Sequence, residues 1–250
     1  MGNTYVFVNQ KGGVGKTTSA INIGAFLAEA GKKTLLIDFD SQANLSSGVG
    51  LSGVKPGVYE LISGIADLNE VIKETPVPGL FAIPAGIDLS GAAVELIEQQ
   101  ERDFFLSKAI EPVKSAYDFI LIDCPPSLGI LTINGLVAAD MALIPMQCEY
   151  FALEGLSLLL QTIKRIQKLN PRLEIGGIFF TMYDIRTRLT QQVVRQVSAH
   201  FKKQVFNAII PRNVRLSEAP SHGLPISLYD SQCVGAKAYK MLSEELIHRG

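Results

Sequence analysis

The chain has 250 residues, with 23 basic and 24 acidic side chains and a formal net charge of −1; its pI is near 6.3. Taken as an average, that balance argues against a constitutive nucleic-acid binder, which would usually carry a basic excess. At 47% hydrophobic and 19% charged, the chain can bury a substantial core, and the composition excludes a disordered protein.

Cys124, Cys148 and Cys233 are widely spaced and form no Cys-x-x-Cys pair, and His200, His222 and His248 are scattered. Neither a disulfide framework nor a zinc site is expected, and a reducing compartment is. A strand-like run begins at Thr4, so no signal peptide is read, and Val6 stands where a myristoylation pattern needs Ser or Thr. The most apolar stretch, 129–146, is broken by Asn134, Asp140 and Pro145, which argues against a membrane span. The expected location is cytoplasmic.

In chain order, 5–8 reads as a short buried strand ending in a glycine-rich turn. A helix over 16–30 follows, with Gly31 as its stop. Strands are predicted over 34–37 and 80–83, then a largely helical stretch over 90–115 interrupted by Pro112. Further strands are read at 119–122 and 142–146, and an amphipathic helix over 153–169 is stopped by Asn170-Pro171. Late strands are predicted over 175–182 and 205–210 with a helix between them, and 237–248 forms a closing helix. Continuous apolar strands separated by helices predict an α/β fold, one doubly wound, mostly parallel sheet covered on both faces. No linker or repeat divides the chain, so a single domain over 1–250 is expected. Its ligands should bind at the C-terminal ends of the strands.

The turn after the first strand reads Asn9-Gln10-Lys11-Gly12-Gly13-Val14-Gly15-Lys16-Thr17-Thr18. It fits a phosphate-binding loop. Glycines let backbone N–H groups approach phosphate oxygens, and the helix N-terminus that follows adds partial positive charge. Lys16 is placed to reach the β- and γ-phosphates, and the Thr17 hydroxyl to ligate Mg²⁺. Asp38 and Asp40 leave the second strand on the same side by alternation. Asp123 ends the strand at 119–122. All three carboxylates are expected near the loop, where they can hold a magnesium shell or orient water. Asp140 is read as an ordinary N-cap.

The loop departs from the usual pattern, with Gln10 where the first glycine would stand and an added Lys11. In this it resembles the deviant Walker A motif of the ParA/MinD family of P-loop ATPases. The likeness runs from about Tyr5 to Ala238 and is nearest to the short chromosomal ParA (Soj) members. It includes the segments 145–155 and 211–221 and departs at Ser41, where the family often has proline. The resemblance implies that Lys11 crosses to the nucleotide of a second subunit, so that two chains sandwich two ATP molecules. It implies that Asp40 positions or activates the attacking water, with Asp38 and Asp123 supporting Mg²⁺ through its water ligands. Pro211 and Asn213, with Met182, become candidates for adenine contact, although Met182 equally fits a core position. The phosphate loop itself would be Lys11, Gly12, Gly13, Val14, Gly15, Lys16, Thr17 and Thr18.

Between Ile185 and Ser217 there is no acidic residue, while Arg186, Arg188, Arg195, Lys202, Lys203, Arg212 and Arg215 give +7; the remainder carries −8. At helical spacing, Arg188, Arg195 and Lys202 fall within about 40° of one another. Leu189, Val193, Val197 and Phe201 lie opposite. Arg186, Arg188, Arg195, Lys202, Lys203 and Arg215 are therefore candidate contacts to a phosphate backbone, in binding that is sequence-independent and salt-sensitive. The resemblance separately implies non-specific double-stranded DNA binding by an ATP-bound homodimer, nucleoid association, and a ParB-type partner that triggers hydrolysis in chromosome or plasmid partitioning. A MinD-like membrane-associated division-site ATPase is the alternative, but the closing helix carries Glu244 and Glu245 and reads as a docked core helix. A metallocluster carrier on the same core would need paired cysteines, and Cys124 reads as a small buried hydrophobe.

Overall fold

A parallel strand covered on both faces must be apolar at nearly every position. In the computed structural model, which describes residues 2–149 and 151–249, β1 (Asn3–Phe7), β2 (Thr34–Asp38), β5 (Phe119–Asp123) and β6 (Met141–Gln147) meet that demand and occupy the middle of the sheet. With β3 (Lys73–Glu74), β4 (Leu80–Ile83) and β7 (Glu174–Thr181) they form seven strands in the order β3-β4-β2-β5-β1-β6-β7. Every pairing is parallel except the antiparallel edge pair β3–β4. One face is packed by α1 (Lys16–Glu29) and the last helix. The short helices α2 (Asn44–Gly48), α3 (Val58–Ile62) and α4 (Leu68–Val71) follow β2. The other helices are α5 (Asp88–Glu95), α6 (Phe105–Ile110), α7 (Ile130–Ala138), α8 (Ala152–Ile166), α9 (Arg188–His200), α10 (Val214–Glu218), α11 (Ile226–Tyr229) and α12 (Val234–Arg249). The predicted fold class holds.

Three expectations need correction. The helical stretch over 90–115 is broken: α5 runs into a 3₁₀ turn at Leu96–Glu98, and α6 starts only at Phe105. Glu101 takes a left-handed φ of 55°. The Asn134 side chain accepts from the Leu106 N–H and donates to the Arg102 carbonyl, so it organises the break. Asp140 caps no helix. It precedes β6, and its carboxylate accepts the Thr4 N–H at 2.9 Å, pinning the start of β1.

The strand predicted over 205–210 does not form. That segment meets the sheet region through isolated bridges at Ile178–Val205 and Tyr183–Pro211. Its Phe206 and Ile210 N–H groups donate to the Ile178 and Phe180 carbonyls of β7, both at 2.8 Å, but between them α12 intervenes: the Glu245 carboxylate accepts the N–H groups of Asn207 and Ala208 at 2.9 and 3.2 Å. Arg249 donates to the Val205 carbonyl at 2.8 Å and lies 4.0 Å over the Phe206 ring. With the Ala208 N–H engaged by Glu245, the ladder to β7 is interrupted between Phe206 and Ile210. The short elements α2, α3, α4 and β3 were not predicted, because four or five residues carry no readable period.

The closing helix is docked rather than free. Tyr239, Leu242, Ser243 and Leu246 of α12 are buried, the Tyr239 hydroxyl lies 2.9 Å from Ser19 Oγ of α1, and Ser243 Oγ donates to the Tyr239 carbonyl. Cys124 is buried beside Gly135, where an added Cβ would come within 2.5 Å of its Sγ. Among the described residues, no helix is long and apolar enough to cross a membrane.

Gly177 allows the 204–210 segment to lie against β7. A Cβ there would meet the Phe206 ring at 2.2 Å and the Gln204 carbonyl oxygen at 3.0 Å. Gly177→Ala is expected to lower stability by about 1–3 kcal/mol, measured by urea unfolding against wild type.

Candidate active site at the ends of β1, β2 and β5

The register of the central strands brings the chemistry together. Phe7 of β1 and Asp38 of β2 both pair with Asp123 of β5. The chain therefore delivers the loop after β1, the acidic turn after β2 and the Asp123 carboxylate to one edge of the sheet. Gly15 caps α1 with a φ of 84°, and Gly13 has a φ of 72°. Both are left-handed conformations that glycine adopts without a Cβ penalty. The first turn of α1 holds no acidic residue, so the partial positive charge of its N-terminus is not offset locally. The Val14 carbonyl is tied to Thr181 Oγ1 at 2.8 Å. Gln147 Nε2 donates to the Gly13 carbonyl at 3.1 Å and also contacts Met182 Sδ.

Lys16 is buried, and its Nζ donates to the carbonyls of Asn9 and Lys11 at 3.2 and 3.3 Å. Burial lowers its pKa, and the nearby Asp123 opposes that shift. Thr17 Oγ1 donates to Asp123 Oδ2 at 2.6 Å, while Asp123 Oδ1 is buried without a hydrogen-bond partner among the described residues. Burial, reinforced by neighbouring Asp38, pushes the Asp123 pKa up to about 8. Such an orphaned carboxylate oxygen beside a threonine hydroxyl offers oxygen donors to a hard divalent cation, which prefers oxygen ligands.

Asp38 and Asp40 take different positions. Asp40 is 8% exposed and lines a cavity of about 560 Å³ with Lys16, Thr17, Gln42, Asn44 and Pro126. Asp38 is fully buried, and both its oxygens are engaged by the chain: Oδ1 accepts the Asp40 N–H at 3.2 Å, and Oδ2 accepts the Ser46 N–H and Oγ–H at 2.8 and 2.6 Å. Burial raises its pKa to about 6, and the Ser46 hydrogen bonds pull it the other way. Alternation had placed the two carboxylates together, but only Asp40 lines the cavity, while Asp38 is held inward by Ser46 and the Asp40 N–H. Ser46 was missed in the sequence, where nothing marks one serine among several.

Met182, Pro211 and Asn213 come together, with Thr18 and Tyr239, around an adjoining cavity of about 240 Å³. Gly15, Thr18, Met182 and Pro220 border both cavities, so the two form one cleft. Met182 has a left-handed φ of 49°, and Asn213 Oδ1 is buried with no partner, an acceptor available to a ligand donor. Lys11 stands apart. It is exposed on the outer side of the loop, ion-paired with Glu149, and borders a separate small cavity with Phe151. Tyr150, next to Glu149 in the 145–155 segment, lies outside the described residues.

The basic segment is only partly a helix face. Thr187 caps α9 with its hydroxyl, so Arg188 is the first helical residue, while Lys202 and Lys203 follow the C-cap Phe201. Thr190, Val193 and Val197 are buried; Leu189, expected inward, is 40% exposed. The inward face is thus set by Thr190, one position on. Two of the candidate cations are neutralised in the chain: Arg186 pairs with Asp184 at 2.6 Å, and Arg215 with Glu218 at 2.9 Å and Asp230 at 3.5 Å. Arg188, Arg195, Lys202, Lys203 and Arg212 are exposed and have no such pairing among the described residues.

A glycine-lined loop between a central strand and a helix, with lysine and threonine in register and an acidic residue on the adjacent strand, defines a P-loop nucleotide hydrolase of the doubly wound type. The comparisons with known proteins narrow this class. A family model described as an AAA domain matches residues 2–175. The chain is 66% identical over 251 aligned positions to the chromosome-partitioning ATPase Soj of Treponema pallidum, covering 100% of this chain and 98% of that one. It is 51% identical to the sporulation initiation inhibitor protein Soj of Bacillus subtilis, with full coverage of both. A crystal structure of cobyrinic acid a,c-diamide synthase from Mycobacterium smegmatis with bound ADP and magnesium superposes with a TM-score of 0.86 at 33% identity, over 99% of this chain and 95% of that chain. The chain belongs to the ParA/MinD family of P-loop ATPases, on the branch of the Soj and ParA chromosome-partitioning proteins.

The raised pKa of Asp123 has a consequence for stability. A carboxyl that binds its proton more tightly folded than unfolded contributes most below the unfolded pKa, and that contribution is lost as pH rises through the folded value. In nucleotide-free, magnesium-free buffer, the melting temperature is expected to fall between pH 5 and pH 8. Asp123→Asn should flatten that slope while Asp38 retains its share, measured by thermal melts of both proteins across the range.

Proposed function

We propose that the chain is a magnesium-dependent ATP hydrolase of DNA segregation, converting ATP and water to ADP and phosphate. The observation that carries this reading is the convergence of Lys16, Thr17, Asp123 and Asp40 on one cleft that continues to Met182, Pro211 and Asn213. Lys16 and the loop N–H groups would hold the phosphates, which release the lysine from its loop carbonyls. Thr17 and Asp123 would hold Mg²⁺, which supplies neutralisation of phosphate charge. Asp40, facing the cavity, would orient and deprotonate the attacking water. Asn213 offers its unpartnered oxygen to the amino group of the base. Asp38 supports the site through Asp40 and Ser46, since its own oxygens are already engaged.

In this reading ATP pairs two copies face to face, and Lys11 leaves Glu149 to reach the nucleotide of the partner subunit. The single domain spans 1–250. The paired chain binds duplex DNA without sequence preference through Arg188, Arg195, Lys202 and Lys203, with Arg186 and Arg215 joining if their carboxylate partners release them. A ParB-type centromere-binding protein stimulates hydrolysis and so release from the nucleoid in the cytoplasm. The docking of α12 on α1 disfavours the membrane alternative, because a lipid-binding helix must present the face that α12 buries.

Asp40→Ala is expected to retain ATP binding, measured by calorimetry, and to lose hydrolysis by about 100-fold or more. In gel-shift assays, wild type with ATP should retard non-specific duplex, and Arg195→Glu with Lys202→Glu should weaken that binding by at least ~10-fold and flatten its salt dependence. Unchanged retardation by the double variant would exclude α9 and its C-terminal turn as the contact surface.

A further inference from the structure

Ser46 is fully buried and stands between two parts of the fold that the proposed hydrolysis does not otherwise connect. Its Oγ donates to Asp38 Oδ2 at 2.6 Å and accepts the Ala85 N–H at 2.9 Å. Its own N–H donates to the same Asp38 oxygen at 2.8 Å. On the other side of that carboxylate, Oδ1 accepts the backbone N–H of Asp40 at 3.2 Å. The result is an unbroken relay: Ala85, in the loop after β4, to Ser46 of α2, to Asp38 at the end of β2, to the peptide of Asp40. The relay is anchored further out, since the Pro84 carbonyl accepts the Val58 N–H of α3 at 2.8 Å.

We infer that Ser46 is a positioning residue for catalysis, holding Asp40 in place through Asp38. The inference rests on the proposed hydrolysis. Asp40 follows β2 on a short turn; its remaining restraints include the Gln42 N–H bond to its own Oδ1 and its carbonyl bond to the Ala43 N–H. Both are local and move with the turn. Phe39, just before the turn, is held to the sheet by its N–H bond to the Asp123 carbonyl at 2.9 Å; the relay ties the Asp40 peptide itself to α2 and to the loop after β4. A buried polar chain with every member engaged is rigid, and loss of one member leaves its neighbours unsatisfied. Removing the hydroxyl would free the Ala85 N–H and take one of two donors from Asp38 Oδ2. The turn carrying Asp40 could then shift, and a small shift of a water-orienting group affects turnover far more than substrate binding. Ser46 is absent from the residues that line the 560 Å³ cavity, so its substitution leaves the phosphate contacts in place.

The test compares wild type, Ser46→Ala and Ser46→Thr for ATP affinity by calorimetry, kcat under saturating ATP and Mg²⁺, and melting temperature. Ser46→Ala should lower kcat by about 10-fold or more with ATP affinity within about twofold. Ser46→Thr, which keeps the hydroxyl, should restore kcat. If the alanine chain does not fold, Ser46→Cys is measured in its place, with nearly the same shape but a weak donor. A folded Ser46→Ala or Ser46→Cys protein with wild-type kcat would overturn the inference, as would a loss that falls equally on ATP affinity and turnover. A wild-type chain without ATPase activity would overturn the proposed function as well, which separates the two failures.

Discussion

The fold is organised around an unfavourable placement, with Asp38 and Asp123 fully buried on directly paired positions of adjacent strands. Two carboxylates in apolar surroundings repel one another and resist ionisation, and both have raised pKa values. The surrounding structure offsets that cost differently for each. Asp38 receives two donors from Ser46 and one from the Asp40 peptide. Among the described residues, Asp123 receives only the Thr17 hydroxyl and keeps one oxygen bare. One carboxylate is spent on holding the turn that carries Asp40, and the other is left incomplete beside Lys16. The division follows from the register: a shift of one residue would turn both side chains to the opposite face of the sheet.

That difference also explains how much of the site could be read in advance. The strand–loop–helix grammar around Gly12, Gly13, Gly15, Lys16 and Thr17 is local, so sequence order alone sets its geometry. The central strands were legible for the same reason, since burial on both faces writes an uninterrupted apolar run. Asp38 and Asp40 were placed together by strand alternation, yet alternation ends where the strand ends. The separation of the two side chains depends on Ser46, eight positions away from Asp38, and on Ala85 from another loop. No periodicity encodes such contacts. The failed strand over 205–210 has a similar cause: its pattern is apolar enough for a strand, but Glu245 and Arg249 from the far end of the chain claim its backbone groups.

Net charge shows the same distinction between composition and arrangement. Within the acid-free stretch, seven cations were counted and six of them taken as candidate phosphate contacts. Arg186 is held by Asp184, just before that stretch, and Arg215 by Glu218 and Asp230, just after it. The flanking acids thus fold back on the two ends of the segment and leave Arg188, Arg195, Lys202, Lys203 and Arg212 as its exposed positive surface. This set is smaller than the sequence count; four of its members follow α9 and its C-terminal turn, and Arg212 stands on the loop before α10.

For the proposed function, that reduction has a direct physical meaning. A handful of exposed cations on a chain whose remainder is acidic gives weak attraction for a phosphate backbone, and physiological salt screens it further. Pairing two chains doubles the number of phosphate contacts at high effective concentration, and affinity then rises far more steeply than contact number. A strongly basic monomer would bind DNA whether or not nucleotide was present, and hydrolysis could not release it. The near-neutral total and the neutralised ends of the basic segment suit the pairing proposed above: monomer binding must be weak for dimerisation to act as the switch.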